Sequence, residues 1–291
     1  MSLSSTIQFL LKHPLTKDRP IPTLWRFGTW QLRSRLFPAP KVVPWIGDTK
    51  LWIKRGWTGV TGNYYAGLHE FEDMAFLLHL LRPGDVFVDA GANMGTYTIL
   101  ASGICGAYSY SFEPVKATFE RLQANIALNN LQERVTATQC ALGSNTGEIK
   151  FTSQQDTMNH VATGKETDIV TVPVKRLDDV VSQTPTLIKI DVEGFETEVI
   201  RGATQHLNNP ALKAIIIELN GSGERYGYDE RAIHEQFLEL GFKAYFYEPF
   251  KRQLSPITQF GNLNTIYCRD VEWVKARLAE AKSIQVRQHS L

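Results

Sequence analysis

The chain has 291 residues, 43% of them hydrophobic and 21% charged, which excludes a disordered polypeptide and suits one α/β domain with an added subdomain. Its formal net charge of +1 hides a split, because residues 1–60 hold ten Lys or Arg against two acids, Asp18 and Asp48, leaving the remainder net acidic. No run approaches the ~18 apolar residues of a membrane span, and the opening Met1-Ser-Leu-Ser-Ser-Thr-Ile lacks a secretory leader, so a cytoplasmic protein is expected, at most peripheral at the inner membrane face.

In chain order, Leu3 to Leu11 has a helical pattern that Pro14 ends, and Thr23 to Phe37 has a stronger one between Pro22 and Pro38-Ala-Pro40. Alternation from Val42 to Val60 predicts a small β element running into Thr61-Gly-Asn-Tyr-Tyr-Ala-Gly67, and a helix follows from about Glu70 to Leu81. Strand and helix then alternate: Val86–Asp89, a helix from Gly95, Tyr108–Phe112, a helix over Thr118–Asn130, and Val135–Cys140. Residues 145–175 read as an inserted meander or flap. Beyond it come a short helix at Leu177–Val181, a strand at Leu187–Ile190, a helix at Glu196–Leu207 and a strand at Ala214–Leu219. A helix over Arg231–Leu240 precedes Lys243–Tyr247 and Asn264–Cys268, expected as a terminal antiparallel pair, and a polar helix, Val271 to Lys282, leads to a frayed tail. Right-handed crossovers place the strands in one sheet. The expected division is an extension (1–66), a central α/β domain (67–270) and a C-terminal helix with tail (271–291).

The densest signal is Val86-Phe-Val-Asp89-Ala-Gly91-Ala-Asn93-Met-Gly95-Thr-Tyr97-Thr98, a buried strand turning on small residues into a helix. Asn93 tolerates the left-handed backbone such a turn needs. A dinucleotide site would want Gly-x-Gly-x-x-Gly with a pyrophosphate on the helix N-terminus. Here Asp89 closes the strand, where a carboxylate repels pyrophosphate and suits a ligand carrying an ammonium and a sulfonium, S-adenosylmethionine rather than NAD. The next strand ends in Glu113-Pro114, a carboxylate able to accept both ribose hydroxyls.

These residues carry a resemblance. Leu81-Arg-Pro-Gly-Asp-Val-Phe-Val-Asp-Ala-Gly-Ala-Asn93, Ser111-Phe-Glu-Pro114, Leu177-Asp-Asp179, Ile188-Lys-Ile-Asp191-Val-Glu193-Gly-Phe-Glu196 and Ile215-Ile-Ile-Glu-Leu-Asn220 arrive in the order of the FkbM-family methyltransferases, and from about Tyr65 to Cys268 the chain resembles that branch of the class I S-adenosylmethionine-dependent enzymes. The resemblance implies a doubly wound, Rossmann-like sheet of seven strands with a terminal antiparallel pair, and O-methyl transfer, often onto sugars or polyketide-type hydroxyls. The first 60 or so residues lie outside it. Donor-pocket residues are then expected at Asp89, Gly91, Ala92, Asn93, Gly95, Tyr97, Thr98, Glu113, Pro114, Cys140, Ala141 and Asp191.

For chemistry, strand alternation puts Lys189, Asp191 and Glu193 on one side of a strand end. An alcohol becomes a usable nucleophile when a positioned base takes its proton. Asp191 or Glu193 is the expected base, with Lys189 tuning it or steadying the developing oxyanion; a plain structural ion pair is the competing reading. Asp191, Glu218 and Asn220 also form a candidate oxygen set for Mg²⁺. Glu70 occupies a place where the FkbM pattern has a glutamate, although an acid at a helix N-terminus explains it equally. Among His13, His69, His79, His160, His206, His234 and His289, only His69 and His160 are placed to reach an acceptor. The polar Gln154, Gln155, Asp156, Met158 and Asn159 suit a lid.

Cys105, Cys140 and Cys268 have no metal or disulfide spacing and read as buried thiols. Five of six tryptophans fall in the basic N-terminal segment. That segment could pack against the core or a second subunit of a homo-oligomer, stack on a glycan, or dock on anionic lipid, which would suit a lipid-linked acceptor. Nucleic-acid methylation is a rival that lacks the Asn/Asp-Pro-Pro-aromatic turn, and no nucleic-acid partner is expected. A catalytically dead nucleotide-binding or membrane-docking module is the non-enzymatic rival.

Overall fold

The computed structural model describes residues 3–153, 159–260 and 264–291. Helices α1 (Leu3–Lys12) and α2 (Pro20–Leu36) open the chain, then the hairpin β1 (Lys41–Pro44) and β2 (Lys50–Ile53), then α3 (Thr58–Ala66) and α4 (Phe71–Leu80). Alternation begins with β3 (Val86–Ala90), α5 (Thr96–Ile99), β4 (Tyr108–Phe112), α6 (Lys116–Leu128) and β5 (Val135–Thr138). A side sheet of β6 (Ala141–Leu142), β7 (Gly147–Thr152) and β8 (Ile169–Lys175) precedes α7 (Leu177–Val180) and β9 (Leu187–Ile190). The remainder comprises α8 (Glu196–Arg201), α9 (Thr204–Asn208), β10 (Ala214–Glu218), α10 (Glu230–Glu239), β11 (Lys243–Glu248), β12 (Gln253–Pro256), β13 (Asn264–Cys268), α11 (Val271–Ala279) and a terminal hairpin, β14 (Gln285–Val286) with β15 (His289–Ser290).

The main sheet runs β12-β11-β13-β10-β9-β3-β4-β5. The five strands from β10 to β5 are parallel, while β13 pairs antiparallel with both β10 and β11. This is the expected doubly wound order with the expected antiparallel end, plus an eighth strand, β12, beside β11. Its Pro256 and mostly exposed side chains hide it from periodicity, and an edge strand tolerates both. Alternation sorts the strands onto two cores. Phe87, Leu187, Ile216 and Ile266 pack beneath α4 and α11, and Val88, Ile188, Ile190 and Ile217 pack beneath α8 and α10.

Three local expectations need correcting. Residues 58–66 form helix rather than the end of a β element: two glycines weaken the sequence signal, but Val60, Asn63, Tyr65 and Ala66 are buried, and tertiary burial wins over propensity. The helix expected over Glu196–Leu207 breaks at Gly202, where a Cβ would lie 2.0 Å from the Gly143 carbonyl oxygen. The tail is not frayed. Val286 and Leu291 sit in the main core beside Leu15, and Ile284 and Leu291 exchange backbone hydrogen bonds at 3.0 Å.

The N-terminal helices bury Leu10, Phe27 and Trp30 against Leu51, Ile53, Val60, Tyr65 and Met94. Hydrogen bonds fasten the β1–β2 hairpin beneath them to the central domain: the Lys50 and Trp52 amides donate to Asn129 and Asn125, each at 2.8 Å, and the Trp45 indole donates to the Gly67 carbonyl. All three cysteines are free and buried.

Candidate functional site

Strand order reverses between β3 and β9, and in open α/β sheets that is where a crevice opens beyond the carboxyl ends. The two strands approach very closely there. Gly91, at φ +81°, has no room for a Cβ, which would lie 1.8 Å from the Asp191 carbonyl oxygen. Asn93 adopts φ +50° and Gly95 φ +85°, so the left-handed geometry expected of Asn93 is present. The loop's N–H groups are engaged within the protein: Gly91 and Ala92 donate to the Phe112 carbonyl, Asn93 to Glu113 Oε2 at 3.1 Å, and Gly95 to the Ala92 carbonyl. A pyrophosphate would need those donors free.

A cavity of about 260 Å³ opens on this loop. Six carboxylates line it, Glu70, Asp89, Glu113, Asp191, Glu193 and Glu218, and among the described lining residues Lys189 is the only lysine or arginine. Thr98 Oγ1 donates to Asp89 Oδ2 at 2.6 Å, and burial raises the Asp89 pKa although Lys189 opposes the shift. Glu113 also accepts from the Val115 amide at 2.9 Å, and burial pushes it up to about 7. Lys189 Nζ donates to Asp191 Oδ2 at 2.7 Å and sits 4.7 Å from the centre of the Tyr97 ring. Burial alone would lower the Lys189 pKa, but Asp191, Glu70 and Asp89 outweigh it and hold the ammonium charged.

Oxygens of Asp191, Glu193 and Glu218 lie within 4.8 Å of one another. Glu193 adopts φ +54°, a backbone region non-glycine residues rarely take, and burial followed by the Asp191 charge pushes its carboxyl up to about 7. Burial, then Asp191 and Glu193, raises Glu218 as well. Glu196, quoted above only within a motif, steadies this turn by accepting from the Val192 and Gly194 amides at 3.2 and 3.1 Å.

Of the expected donor-pocket residues, Asp89, Gly91, Ala92, Asn93, Tyr97, Glu113, Pro114, Cys140, Ala141 and Asp191 line the cavity. Gly95 and Thr98 stand behind it, one as the helix N-cap packed against Leu122 and the other bonded to Asp89. Glu70 is at the N-cap position of α4, makes no side-chain cap hydrogen bond, and lines the cavity instead. Asn220 does not. Its side-chain oxygen accepts from the Ser222 amide at 2.9 Å, so the acidic trio contains Glu193 in place of the expected Asn220.

His69 lines the cavity, whereas His160 turns to Glu166 at 3.4 Å. The flap contributes Phe151, Asn159 and Val161, while Gln154, Gln155, Asp156 and Met158 lie outside the described residues. Sequence reasoning missed Thr58, Gly59 and Asn63, which α3 brings to the cavity from the extension. A second cavity of about 350 Å³ lies among α1, α2 and α3, walled by Phe9, Phe27, Trp30 and Tyr65, and shares Thr58 and His69 with the first. His69 Nδ1 is buried there without a partner, and burial lowers its pKa.

A doubly wound sheet with acids at the tips of β3 and β4 is the architecture of a class I S-adenosylmethionine-dependent methyltransferase, and comparison with known proteins agrees. The family model "Methyltransferase FkbM domain" matches residues 89–244, and the chain belongs to that family. Curated relatives include "Methyltransferase 1" of Beauveria bassiana, 33% identical over 148 residues (41% of this chain, 59% of that protein), and the hexuronic acid methyltransferase AglP of Haloferax volcanii, 28% identical over 155 residues (52% and 62%). This chain thus spans about three-fifths of the length of those two. A solved methyltransferase FkbM from Methylobacillus flagellatus is 19% identical with a TM-score of 0.44, covering 63% of this chain and 43% of its own.

Proposed function

We propose that this protein is an S-adenosylmethionine-dependent O-methyltransferase acting on a hydroxyl of a saccharide or related metabolite. The observation that carries the reading is the charge of the cavity: six carboxylates face one ammonium, and the amides of the loop from Gly91 to Gly95 are already hydrogen-bonded within the protein. A ligand bearing a sulfonium and an ammonium supplies the missing positive charge. S-adenosylmethionine, when bound, offers a methyl carbon whose bond to sulfur breaks as the acceptor oxygen attacks, the electron pair neutralising the sulfonium.

This chain's residues fit the remaining tasks. Glu113, fixed by two amides, has lone pairs left for ribose hydroxyls, and Asp89, braced by Thr98, faces the donor's cationic portion. Glu193 is the proposed base that takes the acceptor's proton: burial holds it near 7, where a carboxylate is a competent base at neutral pH. Asp191, committed to Lys189, positions rather than abstracts. The acceptor is proposed to reach the trio from the second cavity, past Thr58 and His69. Support for an O-linked acceptor comes from relatives named as a hexuronic acid methyltransferase and as the 31-O-demethyl-FK506 methyltransferase of Streptomyces tacrolimicus, the latter 27% identical over 189 residues.

Calorimetric titration with S-adenosylmethionine, followed by mass spectrometry of candidate saccharides incubated with labelled donor, with and without a chelator, tests the reading. The expected result is saturable heat and a labelled methyl ether. No heat and no thermal shift would sink it.

A further inference from the structure

Helix α2 has two apolar faces. One, with Phe27 and Trp30, is buried against Leu51, Ile53 and Tyr65. The other points away from the protein: Ile21 is 80% exposed, Trp25 74%, Leu32 61% and Leu36 64%. At ~100° per residue these four fall within a ~60° arc, on the side of the helix opposite Phe27 and Trp30. A surface helix ordinarily turns one apolar stripe to its core and polar residues outward. Single exposed apolar residues need no explanation, whereas four in register form a patch.

The surrounding charge identifies what covers the patch. Between Leu3 and Phe37 the sequence holds six Lys or Arg and one acid, Asp18. Lys12, Lys17, Arg19 and Arg33 are all exposed. A second copy of this face would set these like charges against one another. An anionic lipid surface complements both features, taking the apolar stripe at the headgroup–acyl boundary and the cations at lipid phosphates. Among the described residues no helix is long and apolar enough to cross a membrane, so the contact is with the surface.

We propose that the outward face of α2 docks this protein on an anionic lipid bilayer through Ile21, Trp25, Leu32 and Leu36. The docking stands apart from the reaction assigned above. One extension rests on that reading: Arg35, on α2 beside the stripe, lines the second cavity, so a lipid-held acceptor would enter from the bilayer side.

The test is co-sedimentation of the full chain with vesicles of phosphatidylcholine, with and without a one-third share of phosphatidylglycerol. Binding to the anionic vesicles is expected, weakened by salt, with a blue shift of tryptophan emission and quenching by brominated lipid chains. Trp25→Ser with Leu32→Ser should weaken binding by about tenfold or more, and Arg19→Glu with Arg33→Glu should weaken it on anionic vesicles specifically. These positions are exposed and outside the carboxylate cavity, so the variants should keep the S-adenosylmethionine heat of the unsubstituted chain. Vesicles left unbound, or bound equally by the Trp25/Leu32 variant, overturn the proposal. A dimer in sedimentation velocity that this variant converts to monomer also overturns it, assigning the face to a second copy. Absence of donor heat in the unsubstituted chain would count against the functional reading while the vesicle result still decides the docking.

Discussion

Lys189 and Asp191 meet at 2.7 Å just below the carboxyl edge of the sheet, and Lys189 is only 3% exposed. In register Lys189 lies opposite Asp89 on β3, so one buried ammonium faces carboxylates on two neighbouring strands. Such a cation compensates charge that burial would otherwise make untenable.

Removing that cation should therefore cost stability as well as activity. Lys189→Met is expected to lower the unfolding free energy by about 3 kcal/mol, the order observed when one partner of a buried pair is deleted. Urea unfolding checks this, and an unchanged midpoint would mean the carboxylates are neutral without Lys189.

Glu193 and Asp191 should separate by pH profile. Glu193→Gln is expected to reduce kcat by about 10²–10⁴ and to abolish the acid limb centred near 7, because the titrating base is gone. Asp191→Asn should lower kcat, keep an acid limb but move it to lower pH, because a charge that raises Glu193 is gone, and leave donor affinity nearly unchanged. Loss of the limb in Asp191→Asn alone would transfer the base to Asp191.

Glu113 should govern donor affinity. Glu113→Ala is expected to weaken S-adenosylmethionine binding by about tenfold to a hundredfold, the worth of a charge-assisted hydrogen bond or two. Equal affinity by calorimetry would place the ribose elsewhere.

Stability without donor should fall as pH rises. Burial holds Glu113, Glu193 and Glu196 near 7, against an ordinary 4.5, so the folded chain retains protons the unfolded chain has lost. Their contribution is complete below about 4.5 and fades as pH climbs through about 7. The melting temperature should decline across that window, and Glu113→Gln should flatten part of the decline. Donor binding near pH 7 should expel protons, visible as a binding heat that changes with the buffer's ionisation enthalpy.

The strand tips were legible because β3, β9 and β10 are short, largely apolar runs that end in acids and β4 runs into Glu113, and that pattern gave Asp89, Glu113 and the Asp191 region in linear form. Glu193's left-handed backbone and its meeting with Glu218 were not, since they depend on β9 and β10 lying side by side. Thr58, Gly59 and Asn63 escaped because α3 is helical by burial rather than by propensity. Asn220 misled for a local reason: its oxygen caps the following turn.

Gln288 donates to the Leu15 carbonyl across 273 positions, Arg287 donates to the Tyr64 carbonyl, and Val286 and Leu291 seal the core beside Leu15. The segment around Leu15, which joins α1 to α2, is thus completed by residues about 270 positions further along the chain. A chain truncated before residue 286 would leave Leu15 without part of its native cover and the two N-terminal helices less firmly tied to the central domain.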